Sequence, residues 1–168
     1  MLEPVVFSIP MRVRFRGIDV REGVLLRGDA GWGEFSPFWD YDPAQCRPWL
    51  AAAREAAESG WPDPVRTHVP VNVTVPAVGQ ERAARIVRDS AGCRTAKVKV
   101  AEPGQPASAD IARVEAVRSA LGPDGRIRVD ANGGWDVDTA ARMLRQLDRF
   151  GLEYAEQPCR PLEDLAAL

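Results

Sequence analysis

Histidine and cysteine are scarce in this 168-residue sequence: one histidine, His68, and three cysteines, Cys46, Cys93 and Cys159, with no CxxC pair. A zinc site of the cysteine–histidine kind is therefore not expected. An odd, unpatterned set of cysteines suits a reducing, cytoplasmic setting. Neither sign of charge dominates, the net charge being −2, so there is no bulk attraction to nucleic acid or to an anionic membrane. Long hydrophobic runs are missing too. The first ten residues include Glu3, Pro4 and Pro10 and have no basic start, so we read neither a signal peptide nor a membrane span. What is present, 45% hydrophobic and 27% charged residues, is the make-up of a globular protein.

Residues 1–67 read as a small α+β unit. Val5–Ile9 is a strand, and Arg12, Arg14 and Arg16 then alternate with Val13 and Phe15 until Gly17 breaks the run. Val20–Leu26 is a second strand, and Gly28-Asp29-Ala30-Gly31 turns the chain into Trp32-Gly33-Glu34-Phe35 as a hairpin. Asp42 is the expected N-cap of a helix with Pro43 at its first position, and Ser59-Gly60-Trp61-Pro62 stops that helix. The three arginines could meet an anionic substrate. The plainer expectation is the solvated face of an edge strand.

From residue 68 onward strands and helices alternate. Strands are expected over Val69–Val75, Arg94–Val100, Ile127–Asp130 and Leu152–Glu156. Helices are expected over Val78–Ala91, from an N-cap at Ser108 to Leu121, over a stretch containing Ala140, Met143, Leu144 and Leu147, and from Pro161 onward. Four βα units fit either an open parallel sheet or the first half of a (β/α)8 barrel of the TIM type. A whole barrel takes about 250 residues, so the barrel reading implies a truncated one.

The chemistry gathers at strand ends. Lys97, Asp130 and Glu156 recur at intervals of about one strand–helix–strand unit. Parallel strands joined by helical crossovers put their C-terminal ends on one rim. Lys97 and Lys99 share a strand face, as do Asp130 and Asn132, and Pro158 ends the strand that carries Glu156. Two neighbouring ammonium groups lower each other's pKa, which a lysine needs to act as a base near neutrality. Asp130 and Glu156 offer hard oxygen ligands of the kind Mg²⁺ takes. Each part also has a plainer reading: Lys-x-Lys as the wet face of a strand, Asp130 and Asn132 as caps of the Gly133-Gly134 loop, and Glu156 paired with an arginine. His68 is expected to be structural, and Tyr154 to be core or wall.

Taken together, Lys97-x-Lys99, Val129-Asp130-Ala131-Asn132 and Tyr154-x-Glu156-Gln157-Pro158 resemble the enolase superfamily in its muconate-lactonizing-like subgroup. Phe7-x-Ile9-Pro10-Met11, Phe15-Arg16-Gly17, Arg21-Glu22-Gly23 and Gly31-Trp32-Gly33-Glu34-Phe35 resemble the capping domain of the o-succinylbenzoate synthase family. The resemblance implies a capping domain over 1–67 and half a barrel over 68–168. It implies Lys99 as the base that takes the proton α to a substrate carboxylate, with Lys97 assisting. It also implies Asp130 and Glu156 as Mg²⁺ ligands, with Asn132 beside the metal. The reaction it implies is a dehydration of a succinyl-hydroxycyclohexadiene carboxylate through an enediolate, in menaquinone biosynthesis. The family pattern includes a third carboxylate at the end of a fifth strand and a lysine at the end of a sixth, and neither falls within these residues.

Two other readings stay open. One is an N-acylamino acid racemase or dipeptide epimerase of the same superfamily, with the same lysines and carboxylates. The other is a non-catalytic half-barrel that self-associates through its open strand edges. Apart from such a second copy, the expected partner is a small carboxylate substrate, not nucleic acid or membrane.

Overall fold

The computed structural model describes residues 1–168, which divide into two compact units, Met1–His68 and Val69–Leu168.

In the first unit, β1 (Glu3–Phe15), β2 (Ile18–Gly28) and β3 (Gly31–Phe35) form an antiparallel sheet in the order β1-β2-β3. The two stretches expected on either side of Pro10 are one continuous strand, whose register against β2 shifts between Pro10 and Phe15. Pro4 and Pro10 are tolerated because β1 is an edge strand. Helix α1 (Pro43–Glu58) begins at the expected N-cap. Asp42 accepts from the backbone of Ala44 and Gln45, and the Gln45 side chain accepts from the Asp42 N–H, closing a capping box.

Glycine and alanine let α1 lie against the sheet. A Cβ on Gly33 would run into the Ala53 carbonyl oxygen, and one on Gly28 into that of Ala57. The core of this unit is accordingly shallow: Leu26, Ala53 and Ala57 are buried, with Leu2, Val24 and Phe35 packed against them.

The second unit is a parallel sheet in the order β4-β5-β6-β7: Val73–Val75, Thr95–Lys99, Arg126–Asp130 and Leu152–Glu156. Helices α2 (Gln80–Arg88), α3 (Ala107–Leu121) and α4 (Val137–Leu147) alternate with the strands, and a short α5 (Leu162–Ala166) follows. Ala96, Val98 and Val100, alternating with the lysines, are buried with Val75, Val87, Val114, Val117, Ile127, Val129, Met143 and Leu147 in the core.

Three local expectations are corrected. The strand expected over Val69–Val75 forms only at Val73–Val75. Pairing starts with Val73 opposite Ala96, so the earlier residues run past the start of β5, and Pro70 has no N–H to give a ladder. Helix α2 is shorter than Val78–Ala91. Val78 turns back onto the Pro76 carbonyl at 2.7 Å, and Gly79 caps the helix. Ser108 is not an N-cap: α3 starts one residue before it, after Pro106 in extended backbone, whose carbonyl accepts from Ala109 at 2.9 Å.

A candidate active site at the strand ends

The parallel register places Lys99 opposite Asp130, and Asp130 opposite Glu156, across the C-terminal ends of β5, β6 and β7. The side chains then meet. The Lys99 ammonium donates to Asp130 Oδ2 and to Asn132 Oδ1, both at 2.6 Å. Lys97 Nζ lies 2.8 Å from Glu156 Oε1 and 2.9 Å from the same Asp130 Oδ2. Asn132, in left-handed backbone (φ 48), donates its N–H to Asp130 Oδ1 at 2.9 Å. Asp130 is thus the hub, with a side chain only 1% exposed against 11% for Lys99, 21% for Lys97 and 39% for Glu156.

The electrostatics follow. Burial works against the charged Asp130, but hydrogen bonds from Lys99, Lys97 and the Asn132 N–H outweigh it and hold the carboxyl below its ordinary range. For Lys97, burial again opposes the charge, and the Glu156 and Asp130 carboxylates overcome it, raising the pKa. This corrects the expectation that Lys97 is lowered by its neighbour: its ammonium group is in direct contact with two carboxylates, at 2.8 and 2.9 Å. Glu156 pairs with a lysine, not with an arginine.

Asp130 and Glu156 converge on one cationic point, the Lys97 Nζ. A pair of carboxylate oxygens from adjacent strand ends focused on a single small cation fits two of the ligands of a Mg²⁺ ion. No third Asp, Glu, His or Cys joins them in a cluster.

The other residues singled out from sequence lie apart from this group. Arg12 and Arg14 are exposed on β1. Arg16 is tied to the loop between β3 and α1, 3.2 Å from Asp40 and stacked 4.2 Å over Phe38. His68 is exposed and shares a hydrogen bond with Thr67. Tyr154 is not core: it is 42% exposed, with Arg128 5.1 Å over its ring. Sequence reasoning missed a buried pair, Asp110 and Arg113 of α3, which holds the backbone beside Lys99. Its signal was two opposite charges at i,i+3 spacing among the apolar Ile111, Val114 and Val117.

An antiparallel sheet and helix are thus followed by parallel βα units, with lysines and carboxylates on adjoining strand ends. Residues 6–57 match the "Enolase N-terminal domain-like" family and residues 80–168, more than half the chain, match the "Enolase C-terminal domain-like" family. The chain belongs to this enolase-like family.

Among curated relatives, it is 69% identical over 160 residues to the o-succinylbenzoate synthase of Thermobifida fusca (strain YX), covering 95% of this chain and 50% of that protein. It is 53% identical over 164 residues to the o-succinylbenzoate synthase of Mycolicibacterium smegmatis, covering 97% of this chain and 50% of that protein. The chain spans about half the length of the curated relatives it matches. Among solved structures, the L-Ala-D/L-Glu epimerase from Bacillus subtilis superposes with a TM-score of 0.75 at 23% identity, over 99% of this chain and 62% of that one. The o-succinylbenzoate synthase from Thermosynechococcus elongatus BP-1, complexed with Mg in the active site, gives 0.64 at 24%, over 99% and 64%. At these identities what is shared with the solved structures is the fold. No helix is long and apolar enough to cross a membrane.

Proposed function

We propose that the chain is the N-terminal half of a Mg²⁺-dependent o-succinylbenzoate synthase, a cytoplasmic lyase of menaquinone biosynthesis. The observation that carries this reading is the meeting of Lys97, Lys99, Asp130 and Glu156 through contacts of 2.6–2.9 Å at adjoining strand ends. The identity to relatives of that name supports the choice of substrate class.

Lys99 takes the proton α to the substrate carboxylate, leaving an enediolate that expels hydroxide. Lys97 donates to a substrate carboxylate oxygen. Asp130 and Glu156 hold Mg²⁺, and Asn132 steadies Asp130 through its N–H. When bound, the cation supplies positive field where the substrate gains negative charge.

In the complete protein, Lys99→Ala is expected to lower kcat for dehydration by about 10²-fold or more while the fold is kept, as for loss of a general base. A folded Lys99→Ala variant with wild-type turnover would overturn the reading. The 168 residues alone, with two carboxylates where the family pattern has three, are expected to show no turnover. In isolation the outer edges of β4 and β7 are open to strand addition, so a second copy is the expected partner and light scattering the measurement.

A further inference from the structure

We infer that Arg113 and Asp110 are positioning residues for Lys99, a buried ion pair that fixes the end of β5 and so aims the amine. The inference rests on Lys99 acting as the base. Both residues lie in α3 and are almost fully buried, Arg113 1% and Asp110 3% exposed, with Arg113 Nη1 2.7 Å from Asp110 Oδ1.

The remaining hydrogen bonds of the pair do not tie α3 to itself. The Arg113 guanidinium donates to the Lys99 carbonyl at 2.9 Å and to the Val78 carbonyl at 2.7 Å, and its other nitrogen donates to the Gln105 side chain. Gln105 in turn donates to the Ala77 carbonyl at 2.9 Å. Asp110 Oδ2 accepts the Ala101 N–H, also at 2.9 Å.

One acid–base pair thus grips the backbone on both sides of Val100, whose own N–H goes to the Asp130 carbonyl at 3.0 Å. The need for it is local. β4 stops at Val75, and the next residue, Pro76, has no N–H with which to continue a ladder beside the end of β5. Ala101 also stands in left-handed backbone (φ 59), which an alanine holds only when its surroundings impose it.

Burying two charges is costly, and apolar residues could anchor a helix without that cost. The geometry accounts for the charges because they end on the groups that flank Lys99. If that backbone shifts, the Lys99 ammonium loses its 2.6 Å contacts to Asp130 and Asn132 together.

The test uses Arg113→Lys, which keeps the charge but not the fork that reaches four acceptors at once. Asp110→Asn is nearly isosteric and carries the test should the first variant fail to fold. In the complete protein, the folded variants are expected to lose about a hundredfold in kcat, the effect of misplacing a reacting group, with KM nearly unchanged. Amide hydrogen exchange at Ala101 is expected to quicken by about tenfold or more as its local opening becomes easier. Wild-type kcat and wild-type Ala101 protection in a folded variant would overturn the inference. So would equal losses in kcat and KM affinity with Ala101 still protected, the mark of a merely structural role. If the unmodified protein does not dehydrate the substrate, the proposed function falls, and Ala101 exchange alone decides whether the pair sets this backbone.

Discussion

The two units of this chain solve burial in opposite ways. Val69–Leu168 packs a core of fourteen buried apolar residues between a parallel sheet and its helices. Met1–His68 has a core of three and brings helix to sheet by leaving side chains out, at Gly28 and Gly33 against Ala57 and Ala53. The contrast teaches where charge can be kept. A deep core lets a strand alternate valine on one face with lysine on the other, and it holds a carboxylate as enclosed as Asp130. A shallow core has no such anchorage, and the arginines of the first unit make their contacts near the surface: Arg16 with Phe38 and Asp40, Arg27 over Trp32, and Arg54 with Glu58 along α1.

The sharpest way to break this contrast is to remove the charge that the deep core holds. Asp130→Ala leaves two partly buried ammonium groups without their shared oxygen, and a loss on the order of 3 kcal/mol is expected in urea unfolding. A loss near zero would mean that the rim is not anchored by its ion pairs. Gly33→Ala probes the other unit. Its methyl group would collide with helix backbone, not with a yielding side chain, so about 2 kcal/mol should go, read by fluorescence from Trp32 and Trp49. Tolerance of that methyl would show that α1 is free to move away.

The smallest effect concerns pH. The Thr139 backbone N–H, 2.7 Å from Asp136, holds the carboxyl of this α4 cap below its ordinary value of 3.8. A depressed folded pKa contributes stability that is present above 3.8 and is lost as pH falls below it, through the folded value. Asp136→Asn should therefore flatten the acid limb of the stability profile and leave neutral pH nearly unchanged. An unaltered acid limb would remove Asp136 from the account.

Much of this architecture is legible in the residues. Lys97 and Lys99 are the only lysines among 168 residues that otherwise use arginine, and their period-two spacing between buried residues marks a strand with one face reserved. Asp130 and Asn132 before Gly133-Gly134 mark where the next strand stops. The Asp42-Pro43 start of α1 is equally plain, because capping is decided within four residues. Other features depend on distant chain. Val69 and Val71 favour a strand, but a strand needs a neighbour, and β5 does not reach that far. Asp110 and Arg113 have the spacing of an ordinary solvated helix pair. Only the meeting of α3 with the end of β5 and with the connection after β4 turns them inward. The protonation of Lys97 went the same way, since neighbouring residues suggested repulsion and the adjoining strands supplied acid.

Three of the chain's five non-glycine residues with left-handed backbone, Ala101, Asn132 and Gln157, stand just past the ends of β5, β6 and β7. Each holds a posture that glycine would adopt with less strain, by about 1 kcal/mol. The rim is therefore where side chains are kept against the preference of the backbone, and the three positions differ in how freely they can be altered. Ala101 contributes only a methyl group. Asn132 cannot be spared, because the side chain that makes its posture awkward is the one that touches Lys99.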